Sequence, residues 1–309
     1  MEIQDIILKA RPKISKNSLS NYVRNISILN EKKPIENLDF LKNTDKILDL
    51  IKDKKVTTKR TMITAVTVLL GAINDNKFDK TMEFYQKKLK EMSDEINDTY
   101  SKGNKTEKEE KNWLTYDELK DIQKEYAKDI GELNLRKAAT ITPKNNKKLL
   151  YYLISSLYTL HPPIRLNWAM MKVIKNKNEM KDDKNINYLL DSGTFSKTVY
   201  LNDFKNVKVI GTQSFKLSKA LCKVINLYLK FNSGEYLLNN TRGHEMSANS
   251  LSKMLPLVFS KDGKKVNLNM IRKSAVNDLI DPEQIKKEQQ LAKSMLHSEG
   301  VQKSVYLKK

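Results

Sequence analysis

The chain is poor in the residues that build common metal and redox sites. Its 309 residues hold one cysteine, Cys222, and three histidines, His161, His244 and His297. A lone thiol excludes an internal disulfide and any multi-thiolate zinc centre, and points to a reducing, intracellular setting. The histidines stand far apart in the sequence, and neither HExxH nor CxxC spacing occurs. Glycine is scarce, with nine in all, and no GxxxxGK or GxGxxG loop is present to cradle a phosphate. Carboxylates are numerous, but no pair stands out from the solvated background as a magnesium site. No cofactor and no metal are therefore expected. The start, Met1 to Asp5, has no basic stretch followed by an apolar one, so no secretory leader is expected. No unbroken apolar run reaches the ~18 residues of a membrane span, and the longest, near Val66 to Ile73, is interrupted by Thr67 and Gly71. No membrane partner is expected.

Positive charge is what the chain has in excess: 57 Lys+Arg against 37 Asp+Glu give a formal net charge of +20. A polyanion is the simplest partner, and nucleic acid leads, although charge alone does not separate it from an anionic membrane surface. The excess is uneven, about +4 over residues 1–110 and about +16 over 111–309. A chain of this length favours two domains. The polar run from Ser101 to Lys111 carries no apolar residue and reads as a solvated linker. The expected division is a helical domain at 1–100, a linker at 101–111 and a larger domain at 112–309.

Periodicity predicts helices in the first part. One is capped by Ser18, one spans Leu38 to Ile51, one opens at Thr57 or Thr58, and one runs from about Asp79 to Asp98. In the second part Thr115 and Glu118 form a capping-box pattern, and an apolar helix from about Lys147 to Thr159 stops at Pro162-Pro163. Two runs of β-formers, Thr198–Leu201 and Gln213–Leu217, flank a Lys-rich turn ending at Gly211. Helical patterns return at 218–231, 247–259, 267–280 and 282–307. His161 and His244 read as loop residues, Trp113 and Trp168 as core, and Cys222 as a small buried apolar residue. The fold class is mainly α with a small antiparallel sheet.

Several separated stretches are the most informative. Arg165 follows the double proline in Leu160-His161-Pro162-Pro163-Ile164-Arg165. The basic turn Phe204-Lys205-Asn206-Val207-Lys208-Val209-Ile210-Gly211 comes next. Asn269-Met270-Ile271-Arg272-Lys273-Ser274 follows, then Met295-Leu296-His297-Ser298, and Tyr306 nine residues after the histidine. In this order the set resembles the catalytic signature of tyrosine recombinases, the phage-integrase family: Arg, hairpin Lys, HxxR, His or Trp, Tyr. The flanking residues are most similar to integrases of large DNA viruses, virophages and related mobile elements. The resemblance covers about residue 147 onward well, and extends more loosely to the N-terminal bundle, with Ser18-Leu19-Ser20-Asn21-Tyr22 at its entry.

That resemblance implies a two-domain clamp, a helical core-DNA-binding bundle plus a catalytic domain, assembled as a homotetramer on double-stranded DNA. It implies Tyr306 as nucleophile, Arg165 and Arg272 as phosphate forks, a hairpin lysine as general acid, and His297 as a phosphate donor or positioner of the nucleophile. Lys205 is preferred over Lys208 as that lysine. Two departures stand out. Asn269 replaces the first histidine of HxxR, and an amide is no base near neutral pH. Only Leu307, Lys308 and Lys309 follow the tyrosine, so contacts between protomers are expected from elsewhere than a C-terminal helix. The rival readings are a type IB topoisomerase and a catalytically decayed DNA-binding protein.

Overall fold

A computed structural model describes residues 2–180, 185–240, 243–296 and 298. Among the described residues the chain is mainly helical, with one four-stranded sheet and one two-stranded ribbon. It divides into two compact units, Met1–Lys105 and Thr106–Lys309.

The first unit contains α1 (Ile3–Ala10), α2 (Lys16–Leu29), α3 (Thr44–Leu50), α4 (Val56–Ile73) and α5 (Asp79–Ser101). Its core gathers Ile7 and Ile26 with Leu41, Ile63, Val66, Leu69 and Tyr85. Tyr85, fully buried, donates its hydroxyl to the Leu41 carbonyl at 2.8 Å, so its polar end is satisfied inside the core. α4 is long enough, with a mean hydropathy of 1.2, to cross a membrane. A count of unbroken apolar runs misses this because Thr67 and Gly71 interrupt the run. Within the unit, Met62, Ile63, Ala65, Val66, Val68, Leu69 and Leu70 of α4 are buried.

Helix boundaries differ from the sequence expectation where short polar side chains decide them. α2 is capped by Ser15, not Ser18: the Ser18 backbone N–H donates to Ser15 Oγ at 3.1 Å. Residues 38–51 form no single helix, because Asn43 ends a 3₁₀ turn (Asp39–Lys42) and caps α3 by accepting from Lys46 N at 3.1 Å. α4 starts at Val56, before Thr57. α5 runs to Ser101, and the run read as a linker holds α6 (Glu107–Asn112). Thr106 and Glu109 close a full capping box there, a start signal that needs no apolar residue. The Glu109–Lys273 ion pair and the Lys265 N–H bond to Asn112 Oδ1 (3.1 Å) fix this short helix in the second unit.

The second unit continues with α7 (Tyr116–Glu132), α8 (Pro143–Thr159), β1 (Lys172–Ile174), β2 (Tyr188–Asp191), β3 (Lys197–Leu201), α9 (Val207–Ile210) and β4 (Gln213–Lys216). α10 (Lys219–Phe231), α11 (Ala248–Val258), β5 (Ser260–Lys261), β6 (Lys264–Lys265), α12 (Leu268–Leu279) and α13 (Pro282–Ser294) follow. The Thr115–Glu118 capping box forms and launches α7. The sheet runs β1-β2-β3-β4 and is mixed rather than antiparallel, since β1 pairs parallel with β2. β3 pairs antiparallel with both β2 and β4, with Val199 opposite Leu189 and Phe215. β1 and β2 escape sequence reading because runs of three and four residues give too little alternation to recognise. The helical pattern expected over 282–307 is seen as α13 to Ser294; residues 299–309 lie outside the described part.

Candidate functional site

Arg165 is placed by the way α8 ends. Pro162-Pro163 cannot continue a helix, and the chain turns into a short 3₁₀ segment at Leu166–Trp168. Tyr158, buried on α8, reaches forward and donates its hydroxyl to the Arg165 carbonyl at 3.1 Å. His161 lies in the loop after α8, as expected, and its ring belongs to an aromatic stack. Its ring lies on Phe215 of β4 (centroids 4.4 Å apart, planes at 25°) and meets Trp168 edge-on at 5.9 Å. Burial holds the His161 pKa below its ordinary value, against the opposing hydrogen bond to the Pro162 carbonyl. The stack ties the arginine turn to the sheet, so the guanidinium leaves from a fixed backbone while its side chain stays exposed.

Lys205 sits just beyond β3, in the excursion that leads through α9 to β4. The strand end is fastened by Asn187, a buried amide at the start of β2. Its oxygen accepts from the backbone N–H groups of Asn202 and Asp203, both at 2.9 Å, and its nitrogen donates to the Asp203 carbonyl at 3.0 Å. The same carbonyl accepts from Asn167 at 3.0 Å, two residues past Arg165. Lys208 lies on α9, exposed.

α12 supplies the third wall. Asn267 caps it by accepting from Met270 N at 3.1 Å, which places Asn269 in the first turn. Met270, Ile271 and Ala275 bury one face, and Ser274 donates to the Leu114 carbonyl at 2.6 Å. Arg272 is half-buried on the same helix and donates from Nε to the Pro163 carbonyl at 3.2 Å. That bond links α12 to the turn carrying Arg165.

These walls enclose an open cavity of about 800 Å³ lined by Arg165, Lys205 and Asn269, together with Asn167, Lys172, Asn187 and Tyr236. Lys208 is not among its lining residues, and neither is Arg272. Arg272 is nevertheless close enough to Arg165 to feel its charge: burial first, and the neighbouring guanidinium second, push the Arg272 pKa down. Among the described residues no carboxylate forms an ion pair with Arg165, Lys205 or Arg272, whereas Lys172 is paired with Glu235. Holding like charges together without a counter-ion costs energy, and that cost is relieved when an anion enters between them. The arrangement is chemically suited to a phosphate group. His297 and Tyr306 lie outside the described residues.

Lys172, Asn167, Asn187 and Tyr236 also line the cavity and are not among the sequence candidates. Asn187 carries a faint signal, a polar residue set directly against the Tyr188-Leu189-Leu190 run. Lys172 carries none, since one lysine among so many reads as solvated charge. Among the described residues no group of three His, Cys, Asp or Glu side chains is placed to hold a metal ion. A scan against protein-family models and a search of curated proteins each returned no match to this chain.

Proposed function

We propose that the protein is a site-specific DNA recombinase of the tyrosine-recombinase kind, which cuts and rejoins strands through a 3′-phosphotyrosine. One observation carries the reading. Arg165, Lys205 and Asn269, separated by long stretches of sequence, line a single cavity, and Arg272 stands beside Arg165 with its Nε anchored on the same turn. The order Arg, hairpin Lys, NxxR, His, Tyr in the sequence, and the net charge of +20, support it further.

In this reaction the Tyr306 phenol oxygen forms a bond to the scissile phosphorus while the bond from phosphorus to the 5′-oxygen breaks. The phenol proton passes to water, because Asn269 offers no basic site near neutral pH. Arg165 and Arg272 present permanent planar charges to the non-bridging oxygens, where negative charge accumulates. The Lys205 ammonium gives its proton to the departing 5′-oxygen and recovers one from solvent. A 5′-hydroxyl from a second strand reverses the steps and rejoins the DNA. His297 is assigned to hydrogen-bonding the phosphate. The partner is duplex DNA, held mainly through its phosphates and so with an affinity that falls steeply with salt. Four strands exchanged imply a tetramer assembled on DNA, inside a host cell of a virus or mobile element.

The test is covalent capture. A pool of nicked duplexes of randomised sequence traps a cleaving enzyme because the released fragment diffuses away, and sequencing the trapped strands recovers the site. The expected result is an adduct that survives denaturation, disappears in Tyr306→Phe, and persists in Lys208→Ala. An adduct retained in Tyr306→Phe, or salt-sensitive binding with no adduct, refutes the proposal. Rapid relaxation of a supercoiled plasmid lacking the recovered site moves the assignment to a type IB topoisomerase.

A further inference from the structure

Lys205 is on a loop, and a general acid on a loop works only if the backbone beneath it is fixed. The structure shows what fixes it. The Asp203 carbonyl, two residues before Lys205, uses both of its lone-pair directions on side-chain amides: Asn187 from inside the sheet and Asn167 from the arginine turn, each at 3.0 Å. Asn187 simultaneously accepts from the N–H groups of Asn202 and Asp203 at 2.9 Å. Asn202 in turn donates its amide to the Ile186 carbonyl at 3.0 Å. The strand has ended at Leu201, so these side chains replace the ladder bonds that the sheet no longer supplies. Asn187 is 8% exposed, whereas Lys205 itself is exposed and has no ion-pair partner among the described residues.

We propose that Asn187, assisted by Asn167, is the positioning residue of this site: the amide clamp on Asp203 locks the Lys205 loop to the Arg165 turn, so that proton donor and phosphate fork keep one spacing. The inference rests on the recombinase reading and adds to it a group that touches neither substrate nor reacting atoms. It also assigns the sheet's second strand a part in catalysis, since β2 delivers Asn187. Acid catalysis contributes roughly 10²- to 10⁴-fold, and a misplacement of about 1 Å costs roughly 10²-fold. Asn187→Leu, which keeps the branched shape with a somewhat larger side chain and removes all three bonds, is expected to slow cleavage about 10- to 100-fold. Asn167→Ala removes one bond from a more open position and is expected to slow it a few-fold.

The decisive experiment replaces the bridging 5′-oxygen at the recovered cut site with sulfur, whose thiolate leaves without needing a proton. Single-turnover cleavage of oxygen and sulfur substrates is measured for the full-length parent, Asn187→Leu, Asn167→Ala, Lys205→Ala and Arg165→Lys, with melting recorded for each. The clamp is supported if sulfur restores Asn187→Leu, Asn167→Ala and Lys205→Ala to near the parent rate while Arg165→Lys stays slow. Equal slowing of Asn187→Leu on both substrates, or no slowing on either, overturns it. Should Asn187→Leu fail to fold, Asn167→Ala decides by the same criterion. Lys205→Ala left slow on sulfur refutes the general-acid role, and the clamp with it, while leaving Tyr306 chemistry standing. Absence of any adduct with the parent on either substrate refutes the recombinase reading itself.

Discussion

The electrostatics of Arg165 and Arg272 give the most direct expectation, because it needs no DNA. Two guanidinium groups are held near one another, one of them half-buried, and among the described residues neither is ion-paired with a carboxylate. Inorganic phosphate should fill that gap and stabilise the folded state by mass action. At a concentration tenfold above the midpoint of its own titration, RT ln 11 is roughly 1.4 kcal/mol. For a unit the size of Thr106–Lys309, about 1 kcal/mol moves the melting midpoint by roughly 2–4 °C, so the shift is roughly 3–6 °C. Arg165→Gln should lose this shift. In chloride the same variant should melt no lower than the parent, because one member of a repelling pair is gone; at the water-like screening of an exposed side chain the relief is at most about 1 kcal/mol. The assay is thermal unfolding of the full chain at constant ionic strength, with phosphate replacing chloride. Lys208→Gln removes the same charge from outside the cavity and should keep the parent's shift, which controls for a merely basic surface. If Arg165→Gln responds to phosphate as the parent does, the two arginines are not an anion site and the argument from their proximity fails.

Two further outcomes follow from groups around the site. Burial lowers the His161 pKa, so the folded chain favours neutral imidazole and the unfolded chain takes up the proton first as pH falls. Stability should therefore be full above the ordinary histidine pKa of about 6.5 and decline below it, and His161→Phe, which keeps the stack on Phe215, should flatten that decline in denaturant titrations at pH 7 and pH 5. Lys197 on β3 is buried and pairs with Asp191 directly across the β2–β3 ladder. Asp191→Ala strands that ammonium and should cost roughly 3–5 kcal/mol in chemical denaturation, while Asp191→Leu combined with Lys197→Met should recover most of the loss.

Sequence pattern reveals the elements whose signals are long or chemically sharp. α8 has an apolar face of four turns ended by a double proline, and α7 has the Thr115–Glu118 box; both are legible before any coordinate. α10, α11 and α12 also lie within a residue or so of their expected spans. What escapes is short or polar. β1 and β2 are too brief for alternation to register, and their absence from the reading hides the parallel pairing that makes the sheet mixed. α6 forms inside a run with no apolar residue because a capping box and two contacts to the rest of the second unit replace hydrophobic burial. Asn43 splits a stretch whose leucines alone suggest one helix.

The site divides along the same line. Arg165, Lys205, Asn269 and Arg272 are visible in sequence because each sits in a short phrase that resembles a known signature, and the order of the phrases adds what no single phrase holds. Lys205 and Lys208 lie in one basic turn, where the Phe204-Lys205-Asn206 triplet favours the first, and of the two Lys205 lines the cavity. Asn167 and Asn187 have no phrase at all. Their part depends on meeting at one carbonyl, Asp203, which lies 36 residues from the first and 16 from the second. Periodicity and propensity carry no information about such a meeting, because an amide that substitutes for a lost ladder bond is defined by where two other segments stop. On the proposed reading a signature names the groups that would touch phosphate, while the residues that would hold those groups at one spacing become visible only when the strand ends are seen side by side.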